Sequence, residues 1–359
     1  MKAIRIVAWG KPLEMQEVPV PRPTGREALI RMTASGVCHT DVHLIEGSYD
    51  LGESRKLTMA DRGISLPITL GHETAGTIEA LGSDAKIAQS VMKEGDSVVV
   101  YPWLGCGLCR KCRSGLENIC ETKPRSLGIF QDGGYAEYVL VPDVRYLVPL
   151  GKVDPKHGAP LACSGLTTFS AVKRSKIRAS ELLVVIGVGG LGTTAIQIAK
   201  KTTGATVVAI DVDDNKLSLA KNVGADLGIN SRDHSAKEIG SMIREINYGL
   251  PADAAIDFVG TPVTSSLGFD LIGRGGRLVM VGLFGGEGKF ALPIFPLKSV
   301  EVAGNFTGTL EDLHEMVQLV SRGIVTPVVS ETSPLVEANS VIQRLIAGKI
   351  QGRAILVPA

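Results

Sequence analysis

The chain has 359 residues, enough for roughly two domains at about 150 residues each. Hydrophobic residues make up 44% of the sequence and charged residues 21%, a composition typical of a folded globular protein and not of a disordered chain. The formal net charge of +1 offers no broad electrostatic surface for nucleic acid or for an anionic membrane, so we expect neither partner.

The amino terminus lacks the uninterrupted apolar core of a secretory signal, because Lys2 and Arg5 interrupt it. The longest strongly apolar stretch, residues 182–191, has about half of the roughly 20 residues needed to cross a bilayer. Glycines also break this stretch at 187, 189 and 190. We therefore expect a soluble, cytoplasmic protein.

Potential metal ligands occur in three separate segments. Cys38 begins the run Cys-His-Thr-Asp-Val-His that ends at His43, His72 follows the apolar residues 66–70, and Cys163 lies much further along the chain. Two thiolates and one imidazole would hold zinc with one coordination position open, as catalytic zinc requires. The spacing does not show that these segments meet, and a lone cysteine is more often a buried, inert thiol. Both interpretations stay open at this point.

Four further cysteines are crowded into one short segment. Gaps of two residues separate Cys106, Cys109 and Cys112, and Cys120 follows after a longer gap. This spacing predicts a structural zinc site in which four thiolates complete the coordination shell. A pair of disulfides is the alternative, which a reducing compartment disfavours. We expect this lobe, about residues 101–122, to stabilise a loop and to perform no chemistry.

A glycine-rich turn follows the pattern of a buried strand. Residues 182–186 are all apolar, glycines follow at 187, 189 and 192, and residues 193–200 have helical apolar spacing. In this context the pattern predicts a dinucleotide site that includes Gly190 and Leu191. Gly187 would permit the tight turn, Gly189 would let backbone N–H groups approach a pyrophosphate, and Gly192 would let the helix pack closely. The pyrophosphate would meet the positive end of that helix.

A second strand, residues 205–210, ends at Asp211, about 20 residues beyond the last glycine. A carboxylate at this position can accept hydrogen bonds from the ribose hydroxyls and repels the additional phosphate of NADP. No arginine follows in the next three residues, so the pattern favours NAD. The alternative is that Asp211 is a helix cap or a surface acid.

Four later segments also have the character of strands and alternate with helical stretches. They predict, with the first two, six parallel strands in a doubly wound α/β sheet. These segments are residues 225–229, 253–259, 276–282 and 299–304.

Taken together, the motifs resemble those of the zinc-dependent medium-chain alcohol dehydrogenases, of the bacterial and archaeal NAD-dependent type with two zinc ions per subunit. Residues 36–43, 70–73, 160–168 and 352–353 extend the match over nearly the whole chain. The resemblance implies that Cys38, His72 and Cys163 share one catalytic zinc. It also implies that a Rossmann domain, residues 166–299, is inserted in a mainly β GroES-like catalytic domain formed by residues 1–165 and 300–359.

The resemblance further implies reversible oxidation of primary or secondary alcohols to aldehydes or ketones, with hydride transfer to NAD. Zinc lowers the pKa of the alcohol hydroxyl, Thr40 takes its proton, and His43 receives it through the cofactor ribose and releases it. A hydroxyl donates and accepts at once, and a histidine titrates near working pH. Without the resemblance, these two residues would be interpreted as a turn hydroxyl and a surface imidazole.

Supporting roles follow from the same resemblance. Asp41 is expected to accept a hydrogen bond from the ligand imidazole and to fix its tautomer. Glu73 either approaches the open zinc position or forms a buried pair with an arginine such as Arg353, and both roles stay open. Arg353 is also expected to contact the pyrophosphate. Lys216 either assists at the adenosine ribose or is solvated.

His39 stands where some members of the family have an arginine. We expect it to contact the pyrophosphate with a charge that depends on pH, so that NADH release accelerates as the pH rises.

The same comparison implies a pocket lined by Trp103, Phe130 and Leu283, which hints at medium-sized hydrophobic or aromatic alcohols. The polar residues 49–63 predict a surface loop near the pocket entrance. Kinship also implies a homotetramer, a dimer of dimers, whose cofactor domains pair near residues 295–305.

Two other functions stay open. Polyol or sugar-alcohol dehydrogenases use the same scaffold, but they often replace the third cysteine ligand with a carboxylate, so Cys163 favours simple alcohols. A zinc-ribbon binding or sensor protein would need one zinc where the enzyme needs two. Arg110, Lys111 and Arg113 form only a small basic patch for such a role.

Overall fold

The structure is a computed structural model, and it describes residues 1–88 and 92–358. The amino-terminal part is rich in strands and has four short helices among its described residues. The strands are β1 (Lys2–Ile6), β2 (Glu14–Glu17), β3 (Ala28–Gly36), β4 (Ser48–Gly52), β5 (Arg55–Thr58), β6 (Ile68–Thr69), β7 (Glu73–Leu81), β8 (Ser97–Val100), β9 (Tyr138–Val141) and β10 (Leu147–Pro149). The helices are α1 (His39–Glu46), α2 (Ser83–Ala88), α3 (Arg110–Arg113) and α4 (Pro155–Gly158).

The middle of the chain alternates strands and helices. Its strands are β11 (Leu182–Ile186), β12 (Thr206–Asp211), β13 (Leu227–Asn230), β14 (Ala252–Asp257), β15 (Ile272–Met280) and β16 (Glu301–Gly304). Its helices are α5 (Ser164–Ser175), α6 (Gly190–Ile198), α7 (Asp214–Asn222), α8 (Ala236–Ile246), α9 (Pro262–Leu271) and α10 (Ile294–Lys298). The tail contributes α11 (Leu310–Ser321), β17 (Val329–Pro334), α12 (Ala338–Ile346) and β18 (Arg353–Val357).

The middle strands form one parallel sheet in the order β13-β12-β11-β14-β15-β16. All five residues of the central strand β11 are buried, because helices cover both faces of the sheet and leave no side for polar residues. The order reverses at β11 and β14, and ligands of such sheets bind at the carboxyl ends of the strands beside this switch point. The expected doubly wound α/β fold is confirmed.

The tail completes the catalytic sheet. That sheet runs β10-β8-β7-β3-β18-β17, with β9 paired to β3, so the last strand of the chain lies between strands of distant origin. Ile355 and Leu356 of β18 pair with Gly36 and Ser35 of β3. The chain therefore leaves the first domain, forms the parallel sheet, and returns.

The parallel sheet and its covering helix do not begin and end at the expected domain boundaries, 165 and 299. β16 pairs with β15 through Gly304, so the parallel sheet continues past the expected domain boundary at 299. The expected boundary at 165 falls inside α5, a helix that packs against α6 and α11. The sheet and its covering helix therefore require a segment that starts near 164 and ends at 304.

Residues 49–63 are not a plain loop. They contain β5 and most of β4, which form an antiparallel hairpin. Within the described residues, no helix is both long and apolar enough to cross a membrane.

Candidate functional site

Four buried side chains converge from three segments of the chain. Cys38 precedes α1, His72 and Glu73 lie at the start of β7, and Cys163 precedes α5. One potential ligand atom from each lies within 4.8 Å of the others. The structure thus brings together the three residues that the sequence could only suggest as neighbours, and it adds Glu73 to the group.

The imidazole of His72 is held by a small network. Its Nδ1 lies 3.3 Å from Asp41 Oδ1. The other oxygen of Asp41 accepts hydrogen bonds of 2.9 Å from the Cys38 backbone N–H and the Tyr135 hydroxyl. Burial lowers the pKa of His72, but the charges and hydrogen bonds of Asp41 and Cys38 together outweigh burial and raise that pKa well above its ordinary value. Asp41 is therefore placed to hold the imidazole of His72 in one orientation.

The cluster fits zinc by its donor chemistry. Nε2 of His72 is buried without a hydrogen-bond partner in the described part of the chain, and it lies in the same cluster as the sulfurs of Cys38 and Cys163. Two thiolates and an imidazole are a donor set that zinc prefers. A Cys-Cys-His set also leaves a position for an oxygen ligand.

Glu73 forms the buried ion pair that was one of its two expected roles. Its Oε1 accepts from the Ser164 backbone N–H at 3.2 Å and pairs closely with the Arg353 guanidinium. Its Oε2 has no partner among the described residues, and burial raises the pKa of this carboxyl to about 7. A Cβ at Gly36 would overlap Oε2, so glycine is required on the neighbouring strand. Approach of Glu73 to a metal remains a prediction.

The other four cysteines form a second cluster. The sulfurs of Cys106, Cys109, Cys112 and Cys120 lie within 4.8 Å of one another, and all four are free thiols. Cys106 Sγ accepts hydrogen bonds from the Thr122 hydroxyl at 3.1 Å and from the Cys109 backbone N–H at 3.2 Å. These hydrogen bonds lower the pKa of Cys106 to about 5. A set of four sulfurs with N–H donors is typical of a structural zinc site that has no open position.

The glycine-rich turn has the expected geometry at β11 and α6. Gly187 has a φ of +84°, which a residue with a Cβ adopts only with strain. A Cβ at Gly192 would overlap the Gly187 carbonyl oxygen, whereas a Cβ at Gly189 would meet nothing within 4 Å. The helix thus packs closely on the strand, and open space remains beside Gly189 where a pyrophosphate would approach the helix N-terminus. A Cβ at Gly190 would overlap the Arg353 side chain and the Gly352 carbonyl oxygen, so these two residues pack directly against the turn.

Asp211 ends β12 at the edge of a cleft of about 710 Å³. Its carboxylate accepts hydrogen bonds of 2.8 Å from the backbone N–H groups of Val188 and Val212. The cap of the next helix is a different residue, Asp213, which accepts from the Asn215 backbone N–H. The helix-cap alternative for Asp211 is therefore not what the structure shows.

A smaller pocket of about 140 Å³ lies beside the Cys38 cluster. Thr40, His43, Trp103 and Leu191 are among its lining residues. The Thr40 hydroxyl lies 3.8 Å from the Cys38 sulfur. Residues of the metal cluster, the expected proton path and the glycine-rich turn therefore share one pocket.

Three basic side chains lie near this pocket: His39, His43 and Lys216. Burial lowers the pKa of both His39 and His43, so the neutral imidazole is favoured in each. His39 therefore changes its charge at a lower pH than an ordinary histidine does. Lys216 lies on α7 and is half-buried, close enough to help lower the pKa of His39.

Sequence patterns missed several contributors to the site. Tyr135 reaches Asp41 from a distant segment, and Arg62 lines the pocket with its guanidinium over the rings of Tyr49 and Phe130. The hairpin also contacts the cofactor domain, where Arg55 Nη2 lies 3.2 Å from Glu287 Oε2. These contacts depend on tertiary structure and have no local signal.

Comparison with known proteins places this geometry in context. Residues 24–152 match the family described as "Alcohol dehydrogenase GroES-like domain", and residues 190–322 match "Zinc-binding dehydrogenase". The NAD-dependent alcohol dehydrogenase of Sulfurisphaera tokodaii is 44% identical, with all of both chains covered. The D-arabinose 1-dehydrogenase (NADP(+)) of Saccharolobus solfataricus is 35% identical, with 99% of this chain and 97% of that protein covered.

Solved structures agree with the sequence relatives. The alcohol dehydrogenase of Aeropyrum pernix has a TM-score of 0.87 and 35% identity, with complete coverage of both chains. Full-length similarity together with both family matches establishes the lineage. The chain belongs to the zinc-dependent medium-chain alcohol dehydrogenase family.

Proposed function

We propose that this protein catalyses the reversible, NAD-dependent oxidation of primary or secondary alcohols to aldehydes or ketones. The observation that carries the proposal is the pocket in which Cys38 and Cys163 meet Thr40 and Leu191. The proposed metal ligands, the proposed proton acceptor and a residue of the glycine-rich turn thus line one cavity, which supports hydride transfer from an alcohol.

When bound, zinc would lower the pKa of the alcohol hydroxyl and NAD would accept the hydride. Cys38, His72 and Cys163 would hold the metal, and Asp41 keeps the His72 ring oriented. Thr40 would accept the hydroxyl proton, and the neutral form of His43, favoured by burial, is ready to receive it. Trp103 is held by a hydrogen bond of 2.9 Å from its Nε1 to the Ala162 carbonyl and helps exclude water.

For the cofactor, we propose that residues 187–192 bind the pyrophosphate and that Asp211 binds the adenosine ribose. Nε of Arg353 is buried without a partner in the described ranges, beside Gly190, and can donate to a phosphate. His39 and Lys216 complete the basic surroundings.

The direct test is a panel of alcohols, aldehydes, ketones and polyols followed by NADH absorbance, with NAD and NADP compared. Turnover of simple alcohols with NAD is the expected result. A preference for polyols, or no turnover of any alcohol with either cofactor, would contradict the proposal.

We also propose two zinc ions per subunit, one in each cluster. Metal analysis of the purified protein should give two zinc ions per chain. Cys38→Ser should abolish activity and lose one zinc, whereas Cys112→Ser should lose the other zinc and lower the melting temperature. Loss of both ions in Cys38→Ser with the lobe still folded would contradict independent sites.

Finally, we propose a homotetramer built from dimers, in a reducing cytoplasm that keeps all six cysteines as thiols. The strand β16 forms the open edge of the parallel sheet, and the nearby Leu292 and Leu297 are strongly exposed. An exposed strand edge with apolar neighbours favours pairing with a second subunit.

A further inference from the structure

Arg62 is a cation at the substrate pocket for which the proposed reaction gives no role. It lies in the turn after β5 and is half-buried. Its guanidinium carbon lies 5.4 Å from the centre of the Tyr49 ring and 5.7 Å from that of Phe130. Because two aromatic rings contact this guanidinium, its side chain is held at the pocket wall.

The charge of Arg62 is not neutralised by the protein. Across residues 1–88 and 92–358, no carboxylate forms an ion pair with this guanidinium, and Nη1 donates to the sulfur of Met59 at 3.5 Å. A guanidinium has five N–H donors, and a thioether is a weak acceptor. By contrast, Arg353, the other arginine of the pocket, is paired with Glu73.

A second cavity adjoins the pocket at Arg62. This cavity of about 280 Å³ lies under the cysteine lobe, and Arg62, Ile129 and Phe306 line both spaces. Among the lining residues of the two cavities only Glu121 carries a carboxylate, and its Oε1 lies 4.0 Å from Arg110 Nη2 on the lobe. A substrate that extends from the Cys38 cluster toward the second cavity would therefore pass Arg62 before it met any carboxylate of the lining residues.

We propose that Arg62 binds the carboxylate of the substrate, so that the preferred substrates are alcohols with a carboxylate at the far end, and the corresponding aldehyde acids. This inference rests on the proposed dehydrogenase function and specifies its substrate class. The planar guanidinium matches a carboxylate with two parallel hydrogen bonds. The Tyr49 and Phe130 rings beside the guanidinium limit its contact with water, which strengthens such an ion pair.

The test compares ω-hydroxy acids, from 3-hydroxypropanoate to 6-hydroxyhexanoate, with the n-alkanols of the same length. The wild type should have a higher kcat/KM for at least one hydroxy acid than for its alkanol. In Arg62→Met, kcat/KM for that acid should fall by about 10- to 100-fold, the effect of a lost charge-assisted hydrogen bond, and the fold loss for the alkanol should be clearly smaller. Arg62→Lys should recover part of the loss, since it restores the charge without the planar fork.

A binding measurement separates substrate recognition from catalysis. Calorimetry should show that the NADH complex of the wild type binds butyrate, and that Arg62→Met weakens binding of butyrate but not of butyramide. Arg322→Met, at an exposed arginine after α11, is the control and should change neither affinity.

Three results would overturn the inference. The first is a higher kcat/KM for every alkanol than for the hydroxy acid of the same length. The second is an equal fold loss of kcat/KM for both substrates in Arg62→Met. The third is an unchanged affinity for butyrate in that variant. In each case, continued oxidation of alkanols with NAD would leave the proposed function intact. Absence of turnover of either class would instead contradict the dehydrogenase function itself.

Discussion

Thr40 lies in the first turn of α1, two residues after Cys38, and it lines the pocket beside the Cys38 cluster. A hydroxyl at this position can take a proton from one oxygen while it donates its own to another. No other hydroxyl among the described lining residues follows a cluster cysteine so directly, so its removal should interrupt the proton path.

We expect Thr40→Val to lower kcat by about 100-fold or more, the usual contribution of a positioned proton-transfer group. Thr40→Ser should keep most of the activity, because it retains the hydroxyl. NADH affinity, measured by fluorescence, should be unchanged in both variants. Wild-type kcat in Thr40→Val would mean that the proton leaves by another route.

Asp211 should control the choice of cofactor. Asp211→Gly removes the negative charge that would face the 2′-phosphate, so kcat/KM with NADP should rise by about tenfold or more. Asp211→Asn is the milder variant, since its single amide oxygen can still accept one of the two hydrogen bonds that Val188 and Val212 donate to separate oxygens of Asp211. If both variants discriminate against NADP as strongly as the wild type, another residue excludes that cofactor.

At the level of secondary structure, local sequence patterns predicted the elements that are buried to the same degree on every face. The strand expected at 182–186 is β11, because a strand buried on both faces is apolar at every position. The hairpin of β4 and β5 was expected as a loop, because its sequence is polar and lacks alternation. Its stability comes partly from the cofactor domain, where the Gly286 backbone N–H donates to the Asp50 carbonyl at 3.3 Å.

The residues of the candidate site also divide into those that a local sequence pattern predicts and those that it does not. Ligand spacing indicated the four-cysteine lobe from one short segment, whereas the meeting of Cys38, His72 and Cys163 was implied only by resemblance. Arg62 and Tyr135 belong to neither motif. Their roles arise from contacts between distant segments, which no local pattern encodes.

The start of β11 depends on a partly buried ion pair. Arg277 Nη2 on β15 lies 3.3 Å from Glu181 Oε2, and each side chain is about 15% exposed. Burial alone would raise the pKa of Glu181, but hydrogen bonds from Arg178 and the charge of Arg277 outweigh it and lower that pKa. This contribution to stability is therefore present above the unfolded pKa of about 4.3 and is lost as the pH falls through the lower folded value.

We expect Arg277→Met to lower the free energy of unfolding by about 1 kcal/mol at neutral pH. The difference from wild type should shrink below a pH of about 4, as Glu181 becomes protonated in both proteins. Denaturant titrations at neutral pH and below a pH of about 4 measure this difference in the free energy of unfolding, with Arg322→Met as the control for general charge effects. A difference that is constant with pH would show that Arg277 stabilises the sheet by packing alone.

For the whole molecule, assembly should depend on the apolar surface beside β16. Leu292 is 76% exposed and Leu297 is 66% exposed, although both are large apolar side chains. If the proposed tetramer forms through this surface, Leu297→Asp should convert it into smaller species, because a buried carboxylate at a subunit contact would lack a partner.

Light scattering coupled to size exclusion gives the mass of each variant directly. Val336→Asp, at an equally exposed apolar residue on the tail, is the matched control and should remain tetrameric. An unchanged mass for Leu297→Asp would place the subunit contact elsewhere.

The position of β18 between β3 and β17 has a consequence for how the protein is made. While the ribosome is still adding residues, the parallel sheet already has all of its strands, but the catalytic sheet lacks a central one. Arg353, the partner of Glu73, also follows every strand of the parallel sheet in the sequence. Each newly made molecule can therefore form its nucleotide-binding unit before it can close its catalytic centre, because that centre needs a strand and an arginine from a later part of the sequence.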